Sequence, residues 1–240
     1  ARTLTSRSLN SARMYFGNLR EFLRFLYDEH LTAEDLSICI PKISGRKQRL
    51  AQVWTKDEIE RLLNAVERGT AVGKRDYAVF MLASHLGLRT GDICNLKFDN
   101  IRWAECIISI TQDKTGNLLE LPFNEEVGSA IIDYLKNGRP QGDTSPFVFV
   151  RHTPPFGKVK NFWYPMQKYL QEANIKVSLE KPHGLHTLRF ALATRMLDEE
   201  ISLETISAVL GHESSASTQR YLRADINKLR ECALNPDEVF

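Results

Sequence analysis

The sequence offers few of the features that mark a metal, disulfide, membrane or nucleotide-cofactor protein. Its four cysteines, Cys39, Cys94, Cys106 and Cys232, include no Cys-x-x-Cys pair. That argues against a zinc site and a disulfide framework, and predicts reduced thiols in a cytoplasmic setting. The apolar run over 77–88 is broken by Ser84, His85 and Gly87 and is too short to cross a bilayer, so no membrane partner is expected. The opening ARTLTSRSLN is polar and basic, with no apolar leader core, and the first residue, Ala1, predicts a trimmed chain. No Gly-rich loop has P-loop or dinucleotide spacing, and neither His-Glu-x-x-His nor Gly-x-Ser-x-Gly occurs. Acidic residues are spread along helix faces without an inward cluster for Mg²⁺. Phosphoryl chemistry here would therefore run without a metal or other cofactor, on cations supplied by side chains.

Net charge is only +2 over 240 residues, so charge alone does not announce a nucleic-acid partner. Its distribution says more. Residues 1–50 hold nine Lys/Arg against five Asp/Glu, a net of +4, which leaves −2 for the rest. The segment KISGRKQR, with Arg46, Lys47 and Arg49, reads either as a solvated basic linker or as a strand that tracks phosphates. With 42% apolar residues the chain can bury a real core.

Periodicity predicts three parts: a helical region over 1–41, a basic linker over 42–52, and a larger domain over 53–240. In the first, Leu9, Ala12, Phe16, Leu19, Leu23 and Leu26 recur at helical steps over 8–28, and a turn capped by Thr32 follows over 32–36. One helix and a turn cannot bury that stripe alone. The larger domain opens on a capping box, Thr55 with Glu58, ahead of a helix to about Glu67. Further helices are expected over 76–86, 92–97, 124–136, 160–173, 185–198, 203–210, 214–223 and 226–233. Strands are expected over 106–111, 118–121 and 147–150, the first two joined by the turn Asp-Lys-Thr-Gly-Asn. The fold class is mainly α with a small antiparallel β-sheet.

Six residues and one neighbour stand out. His186 and Arg189, in GLHTLRF, lie one helical turn apart and share a face. His212 follows the helix-ending Gly211, and Tyr221 comes nine positions later. Upstream, Arg89 follows the helix stop at Gly87, with Asp92 three residues on, and Lys114 sits in the hairpin turn. Each has an ordinary reading by itself. Arg89 suits a helix C-terminal cap, Lys114 a solvated turn, His186 and Arg189 a surface pair, His212 a helix end and Tyr221 a packed aromatic.

Taken in order, this set resembles the tyrosine recombinases, the site-specific recombinases and phage-type integrases, over about residues 50–225. That family's pattern has an Arg after Leu-Gly-Leu, a Lys in a β-hairpin, His-x-x-Arg, Leu-Gly-His and a downstream Tyr. Arg89, Lys114, His186 with Arg189, His212 and Tyr221 fill it, and Asp92 stands where the family carries an acidic residue that orients the arginine. The chain departs from the pattern at Phe190, where a His commonly follows the motif Arg, and residues 1–41 supply about half of the usual helical core-binding domain.

The resemblance implies a tyrosine-type DNA strand transferase that cuts and rejoins double-stranded DNA at specific sites through a 3′-phosphotyrosine on Tyr221. Arg89 and Arg189 would offer paired donors to the phosphate oxygens, with His212 adding a third. Lys114 would protonate the departing 5′ oxygen, and His186 would act as a base or brace the site. The phosphotyrosine keeps the energy of the broken linkage, so rejoining needs no ATP. Self-association on DNA is expected, with the C-terminal tail lying on its own domain or docking into a neighbour. A relaxing topoisomerase of related chemistry and a DNA-binding module without catalysis are the alternatives.

Overall fold

The computed structural model describes residues 9–43, 53–112, 116–176 and 184–211. The chain divides into two compact units, 1–49 and 50–240.

In the first unit, α1 (Leu9–Asp28) turns Phe16, Leu19, Leu23 and Leu26 to its half-buried side. The following turn is a 3₁₀ helix at Leu36–Cys39, later than the sequence suggests, and its cap is Asp35, whose carboxylate accepts from Ser37 N–H at 2.9 Å. Thr32 instead donates to the Glu34 carbonyl. Two residues suited to capping compete here, and the one nearer the apolar Leu36–Cys39 stretch wins. Arg20 donates to the carbonyls of Ile40 and Pro41, which ties the end of the turn back to α1. Phe22, Phe25 and Ile38, which lie off that stripe, are exposed.

The second unit starts with α2 (Lys56–Asn64), and the capping box is formed in both directions between Thr55 and Glu58. Its centre is α3 (Ala71–His85), with Ala78, Val79, Phe80, Leu82 and Ala83 fully buried. This helix begins five residues before the expected start. Thr70 accepts from Gly73 N–H and caps a first turn whose Gly73, Lys74 and Arg75 hide the apolar period. The buried Arg75 is satisfied by Asp76 at 2.7 Å and by the Val150 carbonyl.

After α4 (Thr90–Asn95) comes a three-stranded antiparallel sheet in the order β1 (Ile101–Arg102), β2 (Ile107–Thr111), β3 (Leu118–Pro122). β1 has only two residues and gives no detectable alternation. It pairs Ile101 with Ile108 of β2, while the β2–β3 register pairs Ile108 with Leu121 and Ile110 with Leu119, all buried on the inner face. The remaining helices are α5 (Glu125–Asn137), α6 (Trp163–Glu172), α7 (His186–Asp198) and α8 (Leu203–Leu210).

The stretch 147–150 is not a strand. Val148, Phe149 and Val150 are fully buried, but they meet only single-residue bridges, Lys97 with Phe147 and Val150 with Lys158. A short apolar run buried among helices has the same composition as a core strand. The helices expected over 214–223 and 226–233 lie outside the described residues, and no described helix is long and apolar enough to cross a membrane.

Candidate active site

Three helix ends converge around Gly87. This residue follows α3 in the left-handed region (φ +63°), and a Cβ there would stand 2.9 Å from Leu210 Cδ2 and 3.0 Å from Leu192 Cδ2. Only glycine admits both the turn and the close approach of α7 and α8. The chain then runs through the buried Leu88 to Arg89, which occupies the cap position before α4 without using its side chain as a cap. That leaves the Arg89 guanidinium able to reach across the unit. Its Nη2 donates to the Gly211 carbonyl at 3.2 Å, and its Nη1 lies 3.9 Å from the buried carboxylate of Asp92.

Arg189 comes to the same place from α7. It is 6% exposed, and its two terminal nitrogens donate to the Gly87 carbonyl at 2.7 Å and the Leu210 carbonyl at 2.5 Å. The two guanidinium groups therefore grip consecutive carbonyls, 210 and 211, at the C-terminus of α8, where the helix leaves unpaired acceptors and partial negative charge. The helix-cap role suggested by Arg89's position is real, but it is served on a helix distant in sequence. A guanidinium has five N–H donors, so cap bonds do not exhaust either group. Among the described residues, Arg89 Nη1 is buried without a hydrogen-bond partner.

Gln112 completes this turn from the sheet side. It is 1% exposed and donates from Nε2 to the Leu210 carbonyl at 3.4 Å. Sequence reasoning passed over it, although the alternation that buries Ile108 and Ile110 marks 112 as the next inward position.

His186 is the first residue of α7, one turn before Arg189, and is exposed where Arg189 is buried. Phe190, the departure from the family pattern, is half-buried against Ala193, Leu197, Ile206 and Leu210, so it serves α7–α8 packing. Lys114, His212 and Tyr221 lie outside the described residues, as do Arg46, Lys47 and Arg49. The other described histidines match no position of the family pattern. His85 is half-buried in α3 beside Ser84, and burial pulls its pKa down; His152 is in a loop, with the same effect of burial; His30 is exposed.

A cavity of about 780 Å³ between α2, α3 and α5 holds none of these site residues. It is lined by charges of both signs, including Glu60, Arg68, Glu126 and Arg195.

The profile of the phage integrase family matches residues 52–228, the span that contains both arginines and the turn that they grip. The chain belongs to the phage integrase family. Among its relatives is a putative integrase/recombinase, y4gC, of Sinorhizobium fredii, 34% identical over 187 residues that cover 78% of this chain and 96% of that protein. Tyrosine recombinase XerA of Pyrococcus furiosus is 28% identical over 93% of this chain and 73% of that protein. A second Sinorhizobium fredii relative, y4rA, matches 95% of this chain, which spans only 55% of it. In fold, the chain resembles the XerH site-specific recombinase bound to its palindromic difH substrate, with a TM-score of 0.76 and 18% identity over 94% of this chain and 67% of that one. The crystal structure of XerA recombinase gives 0.64 and 21% identity, over 93% and 87%. The tyrosine recombinases of this family are DNA strand-transferring enzymes.

Proposed function

We propose that this integrase-family chain is a site-specific DNA recombinase that breaks and rejoins strands through a covalent bond to Tyr221. The observation that carries the reading is the meeting of Arg89 and Arg189 on the carbonyls of Leu210 and Gly211, in the turn that leads directly into His212. Two cations from distant parts of the chain are held by backbone in one small volume, where a phosphodiester's two non-bridging oxygens need donors.

The Tyr221 hydroxyl oxygen attacks phosphorus, losing its proton, and the bond from phosphorus to the 5′ oxygen breaks. Arg89, Arg189 and His212 bear the charge that builds on the non-bridging oxygens. Lys114 gives a proton to the 5′ oxygen as it departs. His186, at the exposed start of α7, acts as a base or braces the phosphate. Asp92 orients Arg89. In the reverse step a 5′ hydroxyl attacks the phosphotyrosine, and no ATP, metal or other cofactor is required. Residues 1–41 supply part of a helical DNA-binding region. Arg46, Lys47 and Arg49 contribute charge that attracts the phosphates of the duplex. Protomers associate on the DNA, with exchange of the C-terminal tail as one means of linking them.

The test is a labelled library of nicked duplexes with a randomised centre. Incubation, denaturation and gel separation should give a protein–DNA adduct, and sequencing of the trapped strands should give a site. No adduct from any library member would overturn the reading. On the recovered site, Lys114→Ala should slow cleavage by roughly 10²-fold or more while a gel shift stays unchanged, since general acid catalysis contributes on that scale. If the gel shift is lost and cleavage per bound complex is normal, Lys114 anchors the phosphate instead.

A further inference from the structure

Gln112 connects the sheet to the arginine-bearing turn. Its backbone N–H donates to the Asn117 carbonyl at 2.9 Å and its carbonyl accepts from Gly116 N–H at 2.8 Å, which closes the base of the β2–β3 hairpin. Its side chain leaves the sheet and shares the Leu210 carbonyl with Arg189. The amide also lies against Gly211, where a Cβ would stand 2.4 Å from Nε2 and 2.5 Å from Oε1. Gly211 is in the left-handed region (φ +59°) and has no side chain with which to anchor the turn. The buried amide occupies the space that a side chain would take, and a primary amide buried this deeply is tolerated only when its polar atoms are used.

Resting on the reading above, we propose that Gln112 is a positioning residue for strand cleavage, fixing the Leu210–Gly211 turn so that Arg89 and Arg189 are aimed at the scissile phosphate. An arginine side chain has several soft torsions, so its guanidinium points where its partners hold it. Both arginines are tied to this one turn. A shift of the turn moves both donors together, and a misplacement of about 1 Å costs about 10²-fold in rate. The β2–β3 hairpin thereby sets the position of Arg89, just before α4, and of Arg189, on α7.

The test uses Gln112→Met, which keeps the length of the side chain and removes its amide. On the duplex recovered by adduct selection, single-turnover cleavage should fall about 10- to 100-fold with duplex affinity unchanged. The decisive measurement repeats this with a methylphosphonate at the scissile position, where a methyl group replaces one charged oxygen and removes much of the demand on the arginines. There the variant should cleave at nearly the rate of the unaltered protein. Equal slowing on both substrates, or full-rate cleavage of the phosphodiester, overturns the positioning role. Should Gln112→Met not fold, Gln112→Asn, one methylene short of the Leu210 carbonyl, is read the same way. An adduct that Tyr221→Phe still forms would instead sink the function and is seen before any Gln112 variant is made.

Discussion

Tyr221→Phe is expected to abolish the denaturant-resistant protein–DNA adduct while leaving duplex binding intact. The substitution removes one oxygen and keeps the ring, so packing changes little, but no atom remains to attack phosphorus. A phenol with an ordinary pKa near 10 is a weak nucleophile at neutral pH, and nearby cations favour its phenolate. Two other tyrosines make poor substitutes. Tyr134 and Tyr169 are buried, and burial pushes both phenols further from ionisation. Their hydroxyls are also engaged, Tyr134 accepting from Val150 N–H and Tyr169 donating to Asp76. An adduct that survives Tyr221→Phe would therefore direct attention to the exposed Tyr15, Tyr27 and Tyr164, and would mean that the nucleophile proposed here is wrong. The measurement is an SDS gel of labelled duplex after reaction, beside a native gel shift of the same samples.

The second large effect is expected at Arg189. Arg189→Lys keeps the charge, yet a single ammonium cannot reproduce a planar fork that holds the carbonyls of Gly87 and Leu210 together. Losing a preorganised donor of this kind costs on the order of 10²–10³ in rate. The same change should lower stability, because a buried acceptor left unpaired costs about 1–3 kcal/mol. The two effects separate if cleavage is measured well below the variant's unfolding midpoint, with circular dichroism to show that the protein is folded. Slow cleavage by folded Arg189→Lys supports a catalytic cation. Normal cleavage with a lowered midpoint would leave Arg189 as a helix clasp only and would remove a central cation from the proposed chemistry.

Local signals in the sequence were read well, and tertiary ones were not. The expected span of α8, 203–210, matches the structure because Ser202 caps it and Gly211 ends it. The Thr55–Glu58 capping box and the alternating strands of the hairpin are equally local, and they too are present. By contrast, the strand expected over 147–150 is irregular, because an apolar run does not say whether a neighbouring strand exists to pair with it. The early start of α3 was hidden for a related reason, since Arg75 looks like a surface residue until Asp76 and Val150 are seen to satisfy it. At the site, motif order pointed to Arg89, Asp92 and Arg189 as residues to examine. That the two arginines meet on adjacent carbonyls of α8 depends on contacts between residues more than a hundred positions apart, which no local pattern encodes. Gln112 lay between these cases, marked by strand alternation but given a partner only by the fold.

The grip on α8 ties the arginine pair to chain continuity. Gly87 and Arg89 belong to the part of the molecule before α7, while Arg189, Leu210 and Gly211 belong to the part after α6. A cut between α6 and α7 would yield two fragments, each bearing one guanidinium and a carbonyl partner for the other. Neither piece would hold both guanidinium groups on the α8 turn.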